Sequence, residues 1–177
     1  MKRIAALMFA LIMLLACSAI AEQEEPGYSR LTPAGAGQPV SCTFVQDKVE
    51  FDVTLALQST KRGNSAEAYM NMFSDFDFGS KFKMYPEDDF SLSIFEVTCA
   101  CDDPNAPLEM NYYDFNAFSI DGQLFEYVFV MPNRYTNPTI YSGGTCEFHL
   151  AIPVPADKRV GIVFDGRLWF YDDTQME

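Results

Sequence analysis

The sequence predicts an all-β protein, an antiparallel β-sandwich of about eight strands, on three observations. Apolar and polar residues alternate, most cleanly in VEFDVTLAL, where Val49, Phe51, Val53, Leu55 and Leu57 face one way and Glu50, Asp52 and Thr54 the other. Successive strand side chains leave on opposite faces, so this pattern buries one face of a sheet. Asp121-Gly122 and Asp165-Gly166 lie between apolar runs, where such pairs favour the tight turns of β-hairpins. No segment carries a long apolar stripe at helical spacing, and NSAEAYMNMF is the one short helical candidate.

The elements follow in order. PVSCTFV and VEFDVTLAL, separated by QDK, form a first hairpin. AYMNMFSDFDF, FSLSIFEVTCAC and LEMNYYDFNAF are further strands, dominated by aromatic and β-branched residues. The last hairpin joins RVGIVF to RLWFY across Asp165-Gly166. The sandwich spans residues 39–173, and its 15 % aromatic content supplies bulk for a core.

Ahead of it, residues 1–21 have the form of an export signal: MKR is a positive start, IAALMFALIMLL an apolar run, and Ala19 and Ala21 an A-x-A cleavage pattern. The run is shorter than the roughly 20 apolar residues of a spanning helix. LLAC also has the look of a lipobox, with Cys17 as its lipidation site, although the well-formed A-x-A favours free secretion. Both routes place the domain outside the cytoplasm, extracellular or on the cell surface. Residues 22–38, rich in Glu, Pro, Gly and Ala, are expected to be a flexible linker. The chain of 177 residues has a formal net charge of −13, and removal of Lys2 and Arg3 makes it more acidic. Such a surface repels phosphate backbones and anionic headgroups, which excludes nucleic acid as a partner and leaves contact with a membrane to a lipid anchor on Cys17.

Three stretches carry a family resemblance. They are FSLSIFEVTCACDDPNAPLEMNYYDFNAFSIDGQLFEY, YSGGTCEFHLAIPVPAD and RVGIVFDGRLWFYD, in that order. The arrangement resembles the telokin-like immunoglobulin-fold domains of secreted bacterial proteins, a group without an assigned function. The resemblance implies an immunoglobulin-like sandwich, export and no enzyme activity. It supplies no catalytic residues.

Four cysteines remain beyond the signal: Cys42, Cys99, Cys101 and Cys146. An even number in an exported domain points to disulfides. Cys99 and Cys101 share a strand face with Cα atoms about 6.5 to 7 Å apart, at the limit of a bridge. Each is therefore expected to bond to one of Cys42 and Cys146, in either assignment. By parity all four point inward, with Phe95 and Val97 beside Cys99, Phe148 and Leu150 beside Cys146, and Val40 and Phe44 beside Cys42. A zinc site or a redox pair is disfavoured, because C-x-C replaces C-x-x-C and no helix start accompanies it. No metal and no cofactor are expected.

His149 is the only histidine. It and Cys146 differ by an odd number and face opposite ways, so they cannot be nucleophile and base; His149 is expected to face solvent without a catalytic task. No G-x-S-x-G occurs, and DFDFG lacks the phosphate loop and H-R-D of a kinase. Asp75 and Asp77 share a strand face, as paired glycosidase carboxylates share a cleft. EDD at 87–89 and DDPN at 102–105 are read as solvated turns rather than calcium loops. Adjacent aromatics, Tyr112 with Tyr113 and Trp169 with Phe170, must take opposite faces, which leaves aromatic surface for a glycan, a peptide strand or another domain. The expected function is thus a non-enzymatic binding or adhesion module of the cell envelope, its partner an exposed protein or glycan. The alternatives are a lipid-anchored structural accessory of an envelope complex and a carbohydrate-active hydrolase.

Overall fold

A computed structural model describes residues 25–71, 90–125, 129–131 and 138–172. The export signal with Cys17, residues 72–78 of the expected AYMNMFSDFDF strand with Asp75 and Asp77, and the 87–89 turn lie outside the described residues. The chain is an antiparallel β-sandwich. Its strands are β1 (Val40–Gln46), β2 (Val49–Arg62), β3 (Phe90–Cys101), β4 (Leu108–Glu109), β5 (Phe115–Ser119), β6 (Leu124–Phe125), β7 (Phe129–Met131), β8 (Thr139–Ile140), β9 (Gly144–Pro155), β10 (Val160–Phe164) and β11 (Leu168–Phe170). These exceed the expected eight because several are segments of two or three residues. One sheet runs β1-β2-β3-β9-β7, a second β11-β10-β5-β6, and β4 pairs with β8.

The helical candidate is helical: α1 spans Asn64–Asn71, so the start of the expected AYMNMFSDFDF strand is helix instead. The first hairpin closes at Gln46↔Val49. Its two turn residues, Asp47 and Lys48, have φ of 51° and 70°, the double left-handed turn that matches the twist of paired strands. The Asp165-Gly166 turn joins β10 to β11, as the sequence predicts. Tyr112 and Tyr113 are not in a strand but in a 3-10 turn, Tyr112–Asp114, where the strand parity argument does not apply.

The two sheets meet through phenylalanine. Phe44 of β1 lies 4.9 Å from Phe164 of β10, which lies 5.0 Å from Phe115 of β5, which lies 5.6 Å from Phe148 of β9 (ring centroids). Tilted and edge-on pairs at such distances stabilise beyond their area burial. The inward residues of VEFDVTLAL from Phe51 onward, Phe51, Val53, Leu55 and Leu57, are buried around them, whereas Val49 is partly exposed.

The segment expected as a flexible linker belongs to the sandwich from Glu25 on. Trp169 N–H donates to Gly27 O (2.7 Å), Ala34 N–H to Trp169 O (2.8 Å) and Tyr171 N–H to Ala34 O (2.9 Å). Ala34 is fully buried. Composition concealed this, because backbone pairing along a sheet edge asks little of the side chains. The same segment guards β1, whose free edge would otherwise invite another strand. Tyr28 Oη donates to Ser41 O (2.6 Å), and Arg167 donates to Thr43 O (2.8 Å).

Among the described residues no helix is long and apolar enough to cross a membrane.

Candidate functional site

A polar constellation of glutamates, histidine, lysine and tyrosine lies on the outer face of the first sheet, away from the core. Alternation puts Glu96 and Thr98 of β3 opposite the buried Phe95, Val97 and Cys99, and puts Glu147 and His149 of β9 opposite Phe148 and Leu150. Register then sets Glu96 directly across from His149, and Thr98 across from Glu147. The third contributor, β2, changes parity. A bulge between Leu57 and Ser59 breaks its pairing with β3. Up to Leu57 the odd-numbered residues face the core, and beyond the bulge Ser59 and Lys61 face outward instead. An extra residue in one strand produces this switch.

α1 closes the group from above. Ser65 Oγ accepts from Arg62 N–H (3.1 Å), fixing its first turn. Ala66 packs in a small cluster with Ile94 and Ala151 of the outer face. Tyr69, three residues later on the same helix face, comes down on His149. The rings are 5.0 Å apart, and Tyr69 Oη and His149 Nε2 share a hydrogen bond of 2.7 Å. Ser59 Oγ donates to Glu96 Oε2 (2.6 Å), Lys61 Nζ stands 3.4 Å from the same oxygen, and Nζ lies 4.9 Å above the Tyr69 ring. One ligating atom each of Glu96, Glu147 and His149 falls within 4.8 Å of the others.

The electrostatics follow from these contacts. The Ser59 hydrogen bond, opposed by burial and helped by Lys61, holds the Glu96 carboxyl below the usual carboxylate range. Burial pushes His149 down despite the neighbouring carboxylates, so its imidazole is neutral at pH 7. Burial, with Glu96 and Glu147 nearby, raises Tyr69, which stays a phenol. A neutral imidazole beside carboxylates makes an electron-pair donor set.

His149 is therefore not simply solvent-facing, as expected from sequence; it is half-buried beneath Tyr69. Nothing local in the sequence announces that a helix lands there. Glu147-Phe148-His149, two metal-capable residues on one strand face, was the available signal. Ser59, Lys61 and Tyr69 carried none.

The cysteines occupy the inner face of the same sheet. All four are free thiols in the structure, Cys99 and Cys101 buried and Cys42 and Cys146 half-buried against the core. Their inward parity is as expected, and of the expected pairings register places Cys99 with Cys146 and sets Cys42 apart from both Cys99 and Cys101. Cys99 faces Cys146 directly. Cys42 faces Val53 of β2, and Val53 faces Cys101, so a whole strand separates the two thiols. Two strand spacings are about 9.5 Å, beyond the roughly 7 Å Cα limit of a bridge. Cys99 is across β2 from Cys42 as well, behind Leu55. Burial pushes the Cys99 thiol strongly up, and the other three thiols add to that, so it is a poor nucleophile.

Of the acidic turns, Asp103 Oδ1 accepts from Asn105 N–H (2.7 Å), a local turn contact. The aromatics divide: Phe115, Phe118 and Phe170 are buried, Trp169 stands edge-on to Phe118 at 5.0 Å, and Tyr113 is exposed.

No family model matches the chain, and neither a curated protein nor a solved structure matches it.

Proposed function

We propose that the chain is an exported, non-enzymatic immunoglobulin-like module that binds an exposed protein or glycan of the bacterial cell envelope. The observation that carries this is the composition of one end of the sandwich. The β1–β2 turn, the end of β3 and the starts of β5, β9 and β11 converge there by topology. They bring Tyr113 (66 % exposed), Tyr141 (68 %), Val45 and Val49 to the surface. Contiguous exposed apolar surface marks interaction sites, and tyrosine offers contact area at small entropic cost. The side chains paired with His149 are tyrosine and carboxylates, not a serine or thiol, which supports a binding role over acyl transfer.

The test is co-sedimentation of the chain with isolated envelopes, before and after protease digestion of those envelopes. Binding that survives digestion identifies a glycan, and binding that is lost identifies a protein. The double variant Tyr113→Ala/Tyr141→Ala is expected to keep its melting temperature and lose most of the binding, since exposed aromatic anchors dominate such interfaces. Undiminished binding by that variant refutes this end as the binding surface, and no binding by the parent chain refutes the module.

A further inference from the structure

We infer that Glu96, Glu147 and His149 form a binding site for one divalent transition-metal ion of the zinc class. The site is distinct from the loop end proposed above and does not depend on it.

The donor set fits. Zinc takes imidazole nitrogen and carboxylate oxygen at about 2.0 to 2.2 Å, and imidazole favours zinc, copper and nickel over calcium or magnesium. Around a tetrahedral ion at that distance the ligating atoms lie about 3.4 Å apart. Here they lie within 4.8 Å of one another. The rotatable side chains of the two glutamates are the means of closing that difference. All three residues stand on the adjacent long strands β3 and β9, Glu147 and His149 two apart on one strand and Glu96 directly opposite His149. Strands hold a ligand set more tightly than loops do.

The supporting contacts of a metal site are also in place. Ligating histidines commonly donate their second ring N–H to an oxygen, and ligating carboxylates are commonly hydrogen-bonded in turn. Tyr69 Oη shares a hydrogen bond of 2.7 Å with His149 Nε2, a contact that orients the imidazole. Ser59 Oγ donates to Glu96 Oε2. Lys61 is the resident countercharge of Glu96, and its side chain is 31 % exposed on a flexible stem, so an arriving dication displaces it toward solvent. Glu147 is exposed, which leaves a coordination position open to water. The acidic surface raises the local concentration of cations. The sequence directed attention for a metal to the thiols, whereas the donors lie on the other face of the same two strands.

The experiment is titration of the chelator-stripped chain with Zn²⁺, followed by calorimetry and by metal analysis after dialysis, with Co²⁺ as a spectroscopic probe. One zinc per chain is expected, with Co²⁺ giving visible bands but no thiolate charge-transfer absorption. Glu147→Gln and His149→Ala should each weaken zinc binding at least about tenfold, and Tyr69→Phe by about tenfold through the lost histidine contact. Glu147 is exposed, so Glu147→Gln tests the site even if His149→Ala fails to fold. No saturable uptake, uptake indifferent to Glu147→Gln, or a thiolate band with cobalt would each overturn the assignment.

Discussion

Cys99 of β3 stands directly opposite Cys146 of β9, in the same register that sets Val97 against Phe148 and Glu96 against His149. Opposed residues of an antiparallel pair have Cα atoms about 4.5 to 5.5 Å apart, inside the range of a disulfide. No other two of the four thiols are placed this way. In an oxidising compartment the expected product is one bridge, Cys99 to Cys146, with Cys42 and Cys101 left as thiols. Non-reducing peptide mapping of the secreted chain, alkylated after denaturation, checks this. A Cys42 to Cys101 linkage would mean that β2 does not lie between β1 and β3.

Gly161 is required by its neighbours rather than by its own dihedral angles. A Cβ there would lie 2.3 Å from Phe170 O and 2.6 Å from the Phe118 ring. Gly161 is paired with Phe118 across β10 and β5, and the ring lies over it. The backbone oxygen cannot withdraw without breaking the sheet. Gly161→Ala should therefore destabilise by about 1 to 3 kcal/mol, the usual cost of overpacking. Chemical denaturation measures it, and an unchanged midpoint would show that Phe118 and β11 yield freely.

Asp114 links acidity to stability with a sign opposite to that of most carboxylates. Its burial, reinforced by Asp165, raises its carboxyl against the opposing hydrogen bond from Asn111 N–H. The folded state then binds the proton more tightly than the unfolded state. Stability falls as pH rises from the ordinary aspartate range through the raised value, and the deficit persists above it. Asp114→Asn keeps an oxygen for Asn111 N–H (2.8 Å in the parent) and removes the charge. Its melting temperature at pH 7 should be equal to or above that of the parent, with the advantage disappearing in acid once Asp114 is protonated. Thermal melts across that range test it, and a variant markedly less stable at pH 7 would show that the carboxylate is a net stabiliser.

Much of the architecture was legible in alternation. VEFDVTLAL, FEVTCAC and TCEFHLAI each assign their residues to the correct face, because period-2 geometry is local to the strand. The hairpin between Gln46 and Val49 and the Asp165-Gly166 turn were legible for the same reason. The reading failed where a local pattern was cut by a non-local contact. Residues 25–38 looked like a linker and pair with β11, and Tyr112-Tyr113 looked like strand and form a 3-10 turn.

Within unbroken strands the sequence by itself determined which face each residue takes, and so that the thiols turn inward while Glu96, Glu147 and His149 turn outward. Tertiary structure alone decided which of these meet. The bulge after Leu57 turned Ser59 and Lys61 outward, α1 brought Tyr69 down onto His149, and the β3–β9 register chose Cys146 for Cys99 and His149 for Glu96. The reason is physical: side-chain alternation is a property of one extended chain, whereas register and docking are settled by the packing of segments far apart in sequence.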